Sequence, residues 1–403
     1  MRRLGPFAVY SNVFLVMLSL GVISPMLKDI QRDLGVSYGA IAWGVGAFAV
    51  ARLLADLPAG IAAERYPRAI VLLAGSLAIC GGSLVAAWSG DLQTFMLARA
   101  ISGVGSAITS TVGLTVVLDA AAPEHRGRAS ARYHSALGAG AFVGPGFGGL
   151  LSTLGDWRLA LAGAGIAALL SSGILLVVYR SRALEPARHE GITVTSERTA
   201  GGGWIRMVLL AAAPAYLAAF AIFFTRGAAA FTLIPLAGRD AAGLSALTLS
   251  IVLMASAGVT TLIGPSVGSL SDRLGRERLL VPGLLLMAGG TLCSVAAGEP
   301  RLFIGGIALA SIAGATFSLP SSMIVDRVPA HARGRAIGLY RMVGDAALSL
   351  GPLVAGLVVD AAGFMVAGLA VAGVVVTIVV AGWAPRLIGA RRALQEGAST
   401  LPG

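Results

Sequence analysis

Long apolar runs, each near or above the roughly 18 residues that cross a bilayer, follow one another along the whole chain with short polar breaks between them. No other feature constrains the fold so strongly. A backbone group left unpaired in lipid costs several kcal/mol, so every such run must close its own hydrogen bonds as a helix. Twelve spans are expected near 7–27, 38–60, 69–89, 92–119, 128–152, 157–179, 206–236, 243–268, 279–298, 301–325, 335–359 and 362–384. The charged fraction of 12% is about half that of a soluble domain. The 55 glycines suit close helix packing in lipid. The run after "MRRLGPF" is long and lacks a small-residue cleavage site, so it is read as a retained first helix. The fold class is an all-α membrane protein.

An even number of spans puts both termini on one side. That side carries 21 of the 30 basic residues, from Arg2 and Arg3 through Arg65, Arg68, Arg276 and Arg333 to Arg391 and Arg392. The other side carries five: Lys28, Arg32, Arg158, Arg239 and Arg301. The positive-inside rule makes the first side cytoplasmic, with both termini there, in a plasma membrane. It also accounts for the net charge of +11 through anionic lipid, without nucleic acid. Four basic residues remain inside spans: Arg52, Arg99, Arg226 and Arg341. Asp56 and Asp345 are the acidic residues at similar depth. Charges there are costly and need partners or a water-filled cavity.

Residues 126–149, "RGRASARYHSALGAGAFVGPGFGG", and 333–356, "RGRAIGLYRMVGDAALSLGPLVAG", share nine identities in 24 positions at a constant offset of 207. The chain is therefore expected to hold two pseudo-symmetric six-helix bundles, 1–180 and 205–388. A cytoplasmic linker (181–204) joins them and a cytoplasmic tail (389–403) follows. Two such halves with a site at their interface form a transporter layout.

"GSLSDRLGRERLL" (268–280), its altered first-half partner "GIAAERYPRAIVL" (60–72), "LARAISGVGSA" (97–107) and "GAFVGPGFGG" (140–149) stand in order on the right spans. Together they resemble the major facilitator superfamily, and within it the twelve-span drug:proton antiporters. Glu64 and Pro67 stand where that family usually has Asp and Gly, and Ala131 replaces a glycine expected before Gly140. The resemblance implies a cytoplasmic latch of Asp272, Arg276 and Asp326, matched by Glu64, Arg68 and Asp119. A solvated loop obeying the positive-inside rule is the plainer alternative. Gly140, Gly144, Pro145, Gly148 and Gly149 thin the fifth span. They are read as a hinge that marks exporters, or as plain helix packing. The resemblance gives Arg99 a part in proton coupling, since a buried guanidinium favours the ionised form of a nearby carboxylate. It also puts spans one, four, seven and ten around a central cavity, lined by Asn12, Arg99, Phe223, Phe224, Arg226 and Phe231.

The resemblance also implies that spans two and eleven face each other between the halves. At about 1.5 Å per residue, Asp56 then lies level with Arg341 and Arg52 with Asp345. That suggests two crossed ion pairs, with pairing inside each helix as the alternative. His134 is read as a core residue or a pH-responsive gate. Cys80 and Cys293 are read as buried thiols. No metal spacing, nucleophile elbow or phosphate loop occurs, so neither an enzyme nor a cofactor is expected. The expected function is a monomeric proton-coupled exporter of small amphipathic or drug-like compounds. The alternative is a facilitator or importer of a polar or anionic solute, suggested by four intramembrane basic residues against two acidic.

Overall fold

The structure, a computed structural model, describes residues 4–122, 125–180, 203–296, 298–329 and 332–399. Most of the expected linker, with His189, lies outside them, as does His331. The first half holds α1 (Leu4–Gly21 and, past Val22, Ile23–Asp33), α2 (Tyr38–Arg65), α3 (Arg68–Ala87), α4 (Leu92–Asp119), α5 (Arg126–Leu154) and α6 (Trp157–Arg180). In the second half α7 comprises Gly203–Thr225, a π-helical stretch Arg226–Leu233, and Ile234–Asp240. Then come α8 (Ala246–Leu274), α9 (Arg276–Ala296) and α10, built of Pro300–Gly314, a 3-10 turn Ala315–Ser318 and Leu319–Arg327. A last helical stretch, Arg333–Ser399, breaks at Gly363, whose φ of +81° and ψ of 176° leave the helical region. Only glycine takes that conformation readily. The two parts are α11 and α12. Gly382 packs on Pro214 and Leu217 near the start of α7, so α12 has returned to the side from which α11 set out.

Among the described residues eleven helices are long and apolar enough to cross a membrane, and the last, 48 residues long and broken at Gly363, is long enough for two spans. The expected twelve spans are therefore present, with ends shifted by a few residues. The largest shift is in α12, whose helix runs to Ser399, 15 residues past the expected end and into the expected tail; α1 runs on to Asp33. Lys28, Asp29, Gln31 and Arg32 end its hydropathy early, but they remain helical and several find partners. Among the described residues there is no strand.

Within each half, glycines set the helix spacing. A Cβ at Gly140 would collide with the Phe14 carbonyl, one at Gly144 would lie 2.5 Å from that of Leu18, and one at Gly148 2.8 Å from that of Val22. This four-residue stripe presses α5 onto α1. In the second half Gly351 meets the Phe224 carbonyl and Gly227 that of Leu348, so α11 presses onto α7 in the same way.

Between the halves, α2 runs beside α11 and α5 beside α8. The first contact extends from Gly39 against Asp360 through Gly46 against Leu353, and the second from Gly149 against Ser250 to Gly258 against Phe142. Both contacts lie toward the face bearing Asp33, Tyr38 and Asp240. Toward the arginine-rich face the partners diverge: a Cβ at Gly60 on α2, Gly338 on α11, Gly138 on α5 or Gly264 on α8 would meet nothing within 4 Å. The halves thus enclose a cleft that opens on the arginine-rich face.

Candidate functional site

At the head of that cleft α2 and α11 place the four charges of the expected crossed arrangement. Arg52 Nε lies 3.9 Å from Asp345 Oδ1, an ion pair between the halves, and its Nη1 donates to Ser106 Oγ at 3.3 Å. Asp56 accepts from Thr111 Oγ1 at 3.2 Å and lies close to Asp345, with Arg341 also within electrostatic reach. Asp56 and Arg341 form no ion pair with each other. They lie about one turn nearer the arginine-rich face, where the two helices have begun to separate. No intrahelical Arg52–Asp56 or Arg341–Asp345 pair forms either. Tyr133, the repeat partner of Tyr340, donates from its hydroxyl to the Ser110 carbonyl at 3.0 Å, joining α5 to α4 beside this cluster.

Arg99 is 5% exposed on α4. Its guanidinium lies 4.6 Å from the Phe48 ring centroid, beside a cavity of about 10 Å³ whose lining includes Ser19, Ser83, Ser102 and Ser106. Nε has no hydrogen-bond partner among the described residues. Arg99 thus belongs to the interior of the first half rather than to the wall of the open cleft. A Cβ at Gly103 would strike the Phe48 carbonyl, so glycine there permits the α2–α4 approach that brings Phe48 under Arg99.

Two irregular segments meet in the second half. Arg226 opens the π-helical stretch of α7, and Phe317 lies in the 3-10 turn of α10. The Arg226 guanidinium is 5.4 Å from the Phe317 centroid. Phe223 lies 5.0 Å from Phe317 and 5.9 Å from Tyr340, ring centre to ring centre. Arg226 is accessible to solvent although protein surrounds it, as expected of a side chain facing an internal cleft. It has no ion pair among the described residues. Departures from α-helical geometry in mid-helix often mark functional positions.

The remaining expected cavity residues lie elsewhere. Asn12 is fully buried and its amide donates to Ser76 and Ser171, so it ties α1 to α3 and α6 inside the first half. Phe224 is buried against α11 and stacks on Phe220. Phe231 packs with a first-half apolar cluster near the face opposite the arginines. Periodicity alone could not separate Phe231 from Phe223, because the π-helical stretch that opens at Arg226 changes the facing of every later residue in α7. Phe317 and Tyr340 went unrecognised as site residues, although Tyr340 was visible as an identity in the repeat. His134 is exposed, with Nδ1 2.9 Å from its own helix's Ser130 carbonyl, so it is not a core residue. Cys80 is buried, but Cys293 is on the exterior.

On the arginine-rich face Arg276 pairs with Asp326 at 2.9 Å and with Asp272 at 3.8 Å. Arg327 pairs with Glu277, which also accepts from Trp383 Nε1 at 3.1 Å. In the first half Arg68 pairs with Asp119, while exposed Glu64 makes no ion pair among the described residues. The two loops differ in backbone. Gly275 has φ +93°, which Pro67, at φ −54°, cannot adopt.

The opposite face carries a set of contacts that the sequence did not suggest. Lys28 on α1 pairs with Asp240 on α7 at 2.8 Å, and Asp29 pairs with Arg239 at 2.5 Å. Each half supplies a basic–acidic dipeptide, and the two pair reciprocally. Tyr38 donates from its hydroxyl to Asp240. Asp360, at the end of α11, accepts from Ser37 Oγ at 2.6 Å and from the backbone N–H groups of Tyr38 at 2.9 Å and Gly39 at 2.7 Å. It thereby caps the N-terminus of α2 from the other half.

Comparison with known proteins agrees with this architecture. The Major Facilitator Superfamily profile matches residues 9–268 and 215–399. The chain is 24% identical over 289 residues to Multidrug resistance protein 2 of Bacillus subtilis, covering 71% of this chain and 70% of that one. It is 27% identical to the Quinolone resistance protein NorA of Staphylococcus aureus over 42% of this chain and 44% of NorA. Among solved structures, a bacterial homologue of the human lysosomal transporter Spinster, inward-facing and unoccupied, superposes with a TM-score of 0.80 at 16% identity, over 98% of both chains. Peptide transporter POT in complex with sulfate gives 0.74 at 14%, over 95% of this chain and 94% of that one. Two six-helix halves around one cleft, and a profile match along nearly the whole chain, make this multi-pass membrane protein a transporter of the Major Facilitator Superfamily.

Proposed function

We propose that the chain is a secondary active exporter in the plasma membrane, with both termini cytoplasmic, moving small amphipathic or drug-like compounds by alternating access coupled to proton entry. The Arg52–Asp345 ion pair, with Asp56 beside it, carries this reading. It joins the halves at the head of the cleft, where protonation of a carboxyl changes the attraction between them. Low dielectric and a neighbouring guanidinium act in opposite senses on the proton affinity of such a carboxyl. The group can therefore exchange a proton as the surroundings change. The similarity to two resistance proteins supports export. The paired charges on the opposite face and the cleft toward the arginine-rich face fit a state open to the cytoplasm. The Asp272–Arg276–Asp326 and Arg68–Asp119 clusters act as latches within each half, and the Gly140, Gly144, Pro145, Gly148 and Gly149 segment lets α5 move against α1.

Transport into proteoliposomes with and without an imposed pH gradient, against a panel of lipophilic cations, neutral drugs and organic anions, tests the reading. The parent should concentrate at least one class only when the gradient is present, and Asp345→Asn should abolish that concentration while leaving exchange of substrate across the membrane. Equal uphill transport by parent and Asp345→Asn refutes coupling through this residue. Flux that ignores the pH gradient supports a facilitator instead.

A further inference from the structure

We propose that the cleft selects organic anions with an aromatic body, and that Arg226, Phe317 and Phe223 form their binding site. The inference deepens the exporter reading and rests on it for direction. Six charges lie at mid-membrane depth. Arg52, Arg341, Asp56 and Asp345 form one group, close enough to act on one another, and in their ionised forms their charges cancel. Arg99 is a cation shut inside the first half. Arg226 remains as a cation that faces the cleft with no carboxylate paired to it among the described residues. It lies fourteen residues before Asp240 on α7, as Arg52 lies fourteen after Tyr38 on α2. Both arginines therefore lie deep in the membrane, Arg52 about 21 Å from the face opposite the arginines and Arg226 somewhat nearer to it, because its fourteen residues include the π-helical stretch with its smaller rise.

A cation held in a water-filled cleft inside a membrane attracts an anion strongly and repels a cation, because low-dielectric walls focus its field. The neighbouring groups define the rest of the ligand. Phe317 lies against the guanidinium, and Phe223 continues the aromatic surface at a ring separation of 5.0 Å, backed by the buried Tyr340 ring 5.9 Å from it. A ligand with its acidic group on Arg226 would lay an aromatic body along these rings. The same cation disfavours lipophilic cations. The choice of ligand has an electrical consequence. Export of a monoanion against entry of one proton carries two positive charges inward per cycle, so an inside-negative potential drives it. Exchange of a monocation for a proton carries none.

The test uses the full-length chain in proteoliposomes and three fluorescent probes of one shape. These are naphthalene-2-sulfonate, neutral naphthalene-2-sulfonamide and trimethyl(2-naphthyl)ammonium, with the potential clamped by valinomycin and potassium. The sulfonate should be moved at least tenfold faster than the ammonium, and faster still when the potential favours net inward movement of positive charge. Arg226→Gln should cost the sulfonate tenfold or more and the sulfonamide less than twofold. Arg226→Lys, which keeps the charge, should retain at least a third of the parent rate and so exclude misfolding. Preference for the ammonium, parental sulfonate transport by Arg226→Gln, or no probe crossing faster than in protein-free vesicles overturns the proposal. Selective sulfonate flux that ignores the pH gradient upholds the anion site and overturns proton-coupled export alone.

Discussion

Asp360→Ala should loosen the face opposite the arginines. The carboxylate belongs to the second half, yet all three hydrogen bonds it accepts come from the first, at the start of α2. Loss of a side-chain cap at a helix N-terminus costs about 1 kcal/mol, and up to about 2 where several donors are released. Asp360 is exposed, which keeps the estimate at about 1–2 kcal/mol. The helix itself loses little, because Ser37 Oγ still accepts from Ala40 N–H at 3.2 Å. The loss therefore falls on the state in which the halves touch here, and that state should become about 5–30-fold less populated relative to its alternative. Spin labels at Gln93→Cys and Arg301→Cys, exposed at the starts of α4 and α10, report the separation of this face in a Cys80→Ser, Cys293→Ser background. The ratio of long- to short-distance populations measured by double electron–electron resonance should rise by that factor, and Asp360→Asn should fall between parent and Ala. An unchanged distance distribution, with thermal stability lowered instead, means that the cap acts within the fold and not between its alternatives.

Arg239→Asp should weaken the same face by setting two carboxylates against each other, and adding Asp29→Arg should restore the parental distances. A swap no better than the single variant refutes direct pairing. On the other side, Asp56→Arg with Arg341→Asp should transport faster than either single variant, because closing the cleft brings these positions level; a double variant no faster than the worse single excludes that contact. Gly103→Val should lower thermal stability by about 1–3 kcal/mol through overpacking and displace Phe48 from Arg99, with an unchanged melting temperature as the refuting result.

The spans and the duplicated halves could be read from the chain, because hydropathy and repeat offset depend on the residues alone. What could not be read depends on the angle between rigid halves. Arg52 and Asp345 meet while Asp56 and Arg341 do not, since α2 and α11 diverge within one turn. Lys28 and Asp29 looked like the polar end of a span until α7 supplied their partners. Arg226 was identifiable as an intramembrane charge, but its aromatic neighbour Phe317 was not. The π-helical stretch and the 3-10 turn that bring them together are irregularities of two separate helices, and no local sequence pattern announces them.

The reciprocal dipeptides on the face opposite the arginines bear on how the protein meets the membrane potential. A single charge crossing a field of 100 mV exchanges about 2.3 kcal/mol with it. Lys28 with Asp29 is neutral, and so is Arg239 with Asp240. Parting the halves here separates two neutral units rather than a cation from an anion, and no net charge moves along the field. The pairing of these dipeptides is thus electrically silent, and it holds as firmly in a depolarised cell as in an energised one.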